Sequence, residues 1–184
     1  MVMKRALVII GLLTFLVGCA GVHDNLKIPA GKIAGDQFTG IRYPFRVSVP
    51  PNWKMTTEFP DFLKRLGYDE PGLYDKEVTE LYIFNPFTES NLQIDFTPAN
   101  RGVQFSQGKI EALATAAMGS FKEEIEKDYG KDIKADIAPT TPFTLKGVPY
   151  AAKKYATYTL KGVKREQGWI YGFSEPYQIF ILYM

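Results

Sequence analysis

Cys19 and His23 are the only cysteine and the only histidine among 184 residues. A Cys–His site needs its base held rigidly within hydrogen-bond reach of the nucleophile. These two stand at the start of a stretch, Ala20 to Asp36, that carries Gly21, Pro29, Gly31 and Gly35 and few large apolar groups. Such a stretch offers no rigid frame. Zinc needs several Cys or His ligands, which one thiol and one imidazole cannot supply. Glycoside hydrolysis needs only two carboxylates, and Asp95 and Glu166 both fall on expected strands. With 20 Asp and Glu in the chain, however, many such pairs arise without meaning. Asp128, Asp132 and Asp136 lack the spacing, glycine and terminal Glu of a calcium loop. No GxxxxGK[ST] or GxGxxG phosphate loop opens a helix. No metal and no dissociable cofactor is therefore expected.

Charge excludes a further class. The chain has 22 Lys and Arg against 20 Asp and Glu, and without Lys4 and Arg5 the two counts are equal. A nucleic-acid binder carries a basic excess on one face, so no nucleic acid is expected as a partner.

The elements that must position any site are legible from periodicity. Phe45, Val47 and Val49 alternate with Arg46 and Ser48, which predicts a half-buried strand stopped by Pro50-Pro51. Phe59, Phe62, Leu63 and Leu66 predict a short helix ending at Gly67. Strands are expected over Glu80–Phe84 and Asn91–Thr97. Ile110, Leu113, Ala114, Ala117, Phe121 and Ile125 form one stripe of a long helix between Gln107 and Tyr129. The remainder reads as antiparallel β: short pieces at Ile133–Ile137 and Phe143–Leu145, then Ala151–Leu160, Glu166–Ser174 and Tyr177–Met184. The turns between the last three are Lys161-Gly162 and Glu175-Pro176.

On the Ala151–Leu160 strand, Ala152, Ala156, Tyr158 and Leu160 are expected inward, leaving Tyr155 outward with Lys153, Thr157 and Thr159. Trp169, Tyr171 and Phe173 share one face of the next strand. They are either sheet core, the commoner use, or an aromatic recognition surface, since Tyr and Trp are enriched at interface hot spots. Tyr155, Trp169, Tyr171 and Phe173 are the candidate partner-binding residues.

The N-terminus resembles a bacterial lipoprotein signal peptide. Lys4-Arg5 form a basic start, and Ala6–Val17 is an apolar run broken by Gly11 and Thr14. That run is shorter than the about 20 residues a membrane-spanning helix needs. Leu16-Val17-Gly18-Cys19 matches the lipobox at every position. The resemblance implies removal of residues 1–18 and a thioether-linked diacylglycerol plus an N-acyl chain on Cys19. A thiol suits this role because sulfur is the better nucleophile, and two or three acyl chains tether essentially permanently. Ala20 stands where an Asp holds Gram-negative lipoproteins in the inner membrane, so the resemblance favours the outer membrane, facing the periplasm; in a Gram-positive cell the same leader implies an outward-facing plasma-membrane protein. Residues 19–36 would be the lipidated tether and 37–184 a single domain. With Cys19 lipidated no disulfide is available, and the domain must stand on apolar burial.

The domain resembles the family of PsbP, the extrinsic protein of photosystem II, and its non-photosynthetic relatives. The resemblance lies in Tyr43-Pro44-Phe45-Arg46-Val47-Ser48-Val49-Pro50-Pro51-Asn52-Trp53 and in Phe143-Thr144-Leu145-Lys146-Gly147-Val148-Pro149-Tyr150. It implies an α+β fold: an antiparallel sheet of about six strands packed with one long and one short helix. Relatives carry a helix after the last strand, and the sequence here stops at Met184. By that comparison the sandwich is either trimmed or covered by another surface.

Three readings of function follow. The first is a non-catalytic, lipid-anchored module that binds or assembles an envelope protein or complex. The second is a carrier of a small apolar ligand or lipid between sheet and long helix. A carboxylate-based hydrolase using Asp95 and Glu166 ranks last.

Overall fold

The computed structural model describes residues 28–70, 72, 78–99, 102–117, 121, 123, 125, 126, 130 and 132–184. The leader, Cys19, His23 and Asp128 lie outside the described residues. The chain is α+β with mostly antiparallel pairing among the described residues, and it divides into two compact units, one up to Asp95 and one from Phe96.

The first unit opens with a three-stranded sheet of β1 (Gly31–Ala34), β2 (Gln37–Gly40) and β3 (Arg46–Ser48), in that order. Its anchor is Phe38, fully buried, with the Phe45 ring 5.0 Å away. Gly31–Ala34, expected within the tether, thus form a strand, and Ala30 before them is buried. Trp53 follows the Pro50-Pro51 stop and donates its amide to the Pro50 carbonyl.

The same unit contains β4 (Lys54–Thr56), β5 (Thr79–Phe84) and the part of β6 (Asn91–Pro98) up to Asp95, ordered β4-β5-β6. Helix α1 (Asp61–Arg65) starts after Pro60, whose fixed φ suits a helix entry. It buries Phe62 and Leu63 against Tyr82. Phe62 stacks on Phe84 at 4.9 Å and Phe59 meets Tyr82 edge-on at 5.7 Å, the offset and T-shaped arrangements aromatic quadrupoles favour. Between Thr79, opposite Asp95, and Leu81, opposite Ile94, the ladder slips. Glu80 is the extra residue of this bulge, which re-aims its side chain.

The second unit holds α2 (Gln107–Ala117), with residues 121, 123, 125 and 126 also helical. Its strands are β7 (Asp136–Ile137), β8 (Thr141–Pro142), β9 (Tyr150–Leu160), β10 (Val163–Ser174) and β11 (Tyr177–Tyr183). The order is β11-β10-β9-β7, with β8 also on β9. Leu160 pairs with Val163 across Lys161-Gly162, whose φ angles of 51° and 78° make the two-residue hairpin turn that matches strand twist.

The described residues form eleven strands, more than the about six expected of the sheet, and those that periodicity did not show, β1, β2 and β4, are three or four residues long and too brief to show a period. The strand expected at Phe143–Leu145 is replaced by Thr141–Pro142, which pairs with Lys153 and Ala152. Leu145 makes only an isolated bridge to Val148.

Helix α2 covers one face of β9–β11. Ile110 and Ala114 bury against Ala152, and Phe121 and Ile125 against Ala156, Tyr158 and Trp169. Small residues on β9 at 152 and 156 let the helix approach the sheet closely.

Candidate functional site

Alternation along β10 decides where the four candidate aromatic residues go. Trp169, Tyr171 and Phe173 point towards α2. Trp169 is buried, donates its indole N–H to the Ala114 carbonyl at 3.3 Å, and meets Phe121 edge-on at 5.6 Å. Tyr171 leans on Phe180 at 4.8 Å, and Phe173 stacks on Phe105 at 4.0 Å. Trp169 is thus core, and Tyr171 and Phe173 pack against the same layer while only partly buried. Tyr155 lies on the opposite face, as its place beside Lys153 and Thr157 predicts, so the four candidates do not make one surface.

The register brings different residues to Tyr155. Gly168 of β10 pairs with Tyr155 on one side and Tyr183 on the other. The two phenols therefore flank a position without a side chain. A Cβ at Gly168 would lie 2.5 Å from the Tyr155 Cβ and against the Lys154 carbonyl oxygen. Glu166 stands two residues earlier on β10, hence on the same face. Lys153 stands two residues before Tyr155 on β9 and reaches along that face.

The four side chains converge. The Lys153 ammonium lies 4.4 Å from the Tyr155 ring centroid and 5.1 Å from that of Tyr183. It donates to Glu166 Oε1 at 2.9 Å, and the Tyr183 hydroxyl donates to the same oxygen at 2.8 Å. The Lys153 and Glu166 side chains are 25% and 42% exposed, so solvent reaches the cluster.

Electrostatics follow from these contacts. Burial opposes charge on Glu166, but the hydrogen bonds from Lys153 and Tyr183 and the nearby ammonium outweigh it. The carboxyl is held below its ordinary value and stays ionised. Burial first, and then the bond to Glu166, push the Tyr183 phenol up, so it remains a donor and not a nucleophile. The arrangement can bind a cation; it offers no activated base.

The other hydrolase candidate, Asp95, is engaged differently. The Gln93 amide donates to Asp95 Oδ1 at 2.9 Å and Oδ2 at 3.1 Å, and also to Thr79 Oγ1 at 3.1 Å. Among the described residues no three His, Cys, Asp or Glu side chains come together to hold a metal ion.

Sequence reasoning missed a second polar cluster, in the first unit. Glu80, on the β5 bulge, is fully buried, and its Oε1 lies 3.3 Å from Arg42 Nε. Neither Glu80 oxygen accepts a hydrogen bond from the described residues. Burial drives the Glu80 carboxyl up to about 7; Arg42 opposes the rise and Asp95 adds to it. A run of five buried residues, Thr79 to Ile83, hides the alternation that would mark Glu80 as inward. Lys153 and Tyr183 were missed as site residues because only strand register sets them around Gly168.

No family model and no curated protein matches the chain. Among solved structures it is similar to cyanobacterial PsbP (CyanoP) from Synechocystis sp. PCC 6803, known from a solution structure. The two share 9% identity over 85% of this chain and 86% of that one, with a TM-score of 0.47.

Proposed function

We propose that this chain is a lipid-anchored envelope protein that binds a partner without transforming it. The anchor rests on Leu16-Val17-Gly18-Cys19. The observation that carries the binding role is the half-exposed cluster of Tyr155, Lys153, Glu166 and Tyr183 on the face of β9–β11 away from α2. It presents two tyrosine rings placed by strand register, with an opposite-charge pair beside them that solvent reaches. The carrier reading has weaker support, because Trp169, Phe121, Ile125 and Ala114 fill the layer between α2 and the sheet.

The test is recovery of the acylated protein from membranes of its native host, followed by intact-mass analysis and identification of co-purifying chains. A lipid mass on Cys19 and a stoichiometric partner lost on Tyr155→Ala are expected. An unmodified sulfur would remove the anchor. Repeated recovery of the acylated protein alone would remove the binding role.

A further inference from the structure

We propose that Tyr155, Tyr183 and Glu166 form a binding site for a small primary alkylammonium group, and that Lys153 is its replaceable resident. This rests on reading that face of β9–β11 as a binding surface.

The site is preformed by the sheet. Pairing of Gly168 with both tyrosines fixes the rings on either side of a bare floor. The Tyr183 hydroxyl fixes the carboxylate by donating to Glu166 Oε1. The resident supplies the ligand chemistry directly. The Lys153 tip is an alkyl stem ending in an ammonium, with one N–H on a carboxylate at 2.9 Å and two ring faces 4.4 Å and 5.1 Å from the nitrogen. Ring faces and a carboxylate both favour cations and reject anions.

The class of cation is set by what the site lacks. Calcium takes six to eight oxygen ligands and magnesium a full octahedron. Here a single carboxylate oxygen already receives two hydrogen bonds, and among the described residues no other acidic group completes a metal site. A primary ammonium needs only one such acceptor and a π-face, and keeps its remaining N–H groups in water.

The resident is held weakly enough to leave. It is a flexible side chain tethered at one end, and exposed ion pairs of this kind add little net stability because salt screens them and ordering the side chains offsets them. A ligand copying its tip can take the same bonds while the lysine stem swings into solvent. The shared ligand chemistry is R–NH3+, free in solution or displayed by an ethanolamine head group.

The experiment is chemical rescue. Butylammonium chloride is titrated into the wild-type protein, Lys153→Ala and Lys153→Ala/Glu166→Gln, with the Tyr155 and Tyr183 ring resonances as readout. Potassium chloride controls for ionic strength. Saturable shifts in Lys153→Ala, at least about tenfold tighter than in wild type because the resident is gone, and lost in the double variant, are expected. Should the double variant fail to fold, Lys153→Ala/Tyr155→Leu replaces it.

Vesicles of phosphatidylethanolamine and of phosphatidylglycerol form the second arm. Preferential binding of Lys153→Ala to the former assigns a lipid source. Butylammonium binding without that preference assigns a free amine. Absence of saturable binding in Lys153→Ala, or equal binding by wild type and both variants, overturns the ammonium site. The partner-recovery experiment reads separately, so a null result here is distinguishable from failure of the broader binding role.

Discussion

Arg42 presents its Nε 3.3 Å from Oε1 of Glu80, with the two side chains only 8% and 0% exposed. Removing both charges from water is costly, and the Arg42–Glu80 contact, without hydrogen-bond alignment, recovers only part of that cost. The balance shows in the raised titration of Glu80. The bulge on β5 thus stores an acid that changes state near neutrality.

The first prediction concerns pH. Glu80 titrates in the folded chain at about 7, above its ordinary 4.5, with burial the largest cause. Between these values the folded state binds more protons than the unfolded one. Its contribution to stability is therefore fully present below about pH 4.5 and lost as pH rises through about 7. In the limit the loss is about 3 kcal/mol. Urea unfolding at steps from pH 5 to 8 should show this decline in wild type and not in Glu80→Gln.

The second follows from the ion pair itself. Arg42→Met leaves Glu80 buried without its cation. The variant should lose about 3–5 kcal/mol at pH 8, where the acid is charged, and much less at pH 5, where it is neutral. Its Glu80 titration, read by NMR of the carboxyl carbon, should move further up. An unchanged titration would show that Arg42 does not set it.

The third separates packing from hydrogen bonding beneath α2. Trp169→Ala should cost about 3–5 kcal/mol, as large-to-small core changes do. Trp169→Phe keeps much of the ring but loses the bond to the Ala114 carbonyl, for about 1 kcal/mol. Denaturant midpoints of the two variants test the ratio.

The fourth concerns the floor of the ammonium cluster. In Gly168→Ala the new methyl meets the Lys154 carbonyl, a backbone atom that cannot swing away. A loss of about 1–3 kcal/mol is expected, with weakening of the contact between Tyr183 and Glu166. A variant as stable as wild type, with Tyr155 and Tyr183 resonances unchanged, would contradict the close approach.

Legibility in the sequence followed the length of each element. The long meander was readable because alternation runs along β9 and β10, β11 is a nearly unbroken apolar run, and the turns between them are two residues long. The same alternation set Trp169, Tyr171 and Phe173 on one side and Tyr155 on the other. By contrast, β1 and β2 were not readable as strands, because β1 is largely exposed and only Phe38 is buried in β2. Glu80 escaped for a different reason: one inserted residue resets the inside–outside pattern of β5, and only the pairing with β6 reveals it. The Lys153 cluster needed register too, since nothing in the order of residues says that 155, 168 and 183 share a row.

The chain has two tryptophans, Trp53 before the Asp95–Phe96 division and Trp169 after it. Each half therefore carries its own fluorescent beacon. Replacing either indole by phenylalanine leaves a probe that watches one half alone. Comparing the two melting profiles would reveal whether the halves come apart together or one outlives the other.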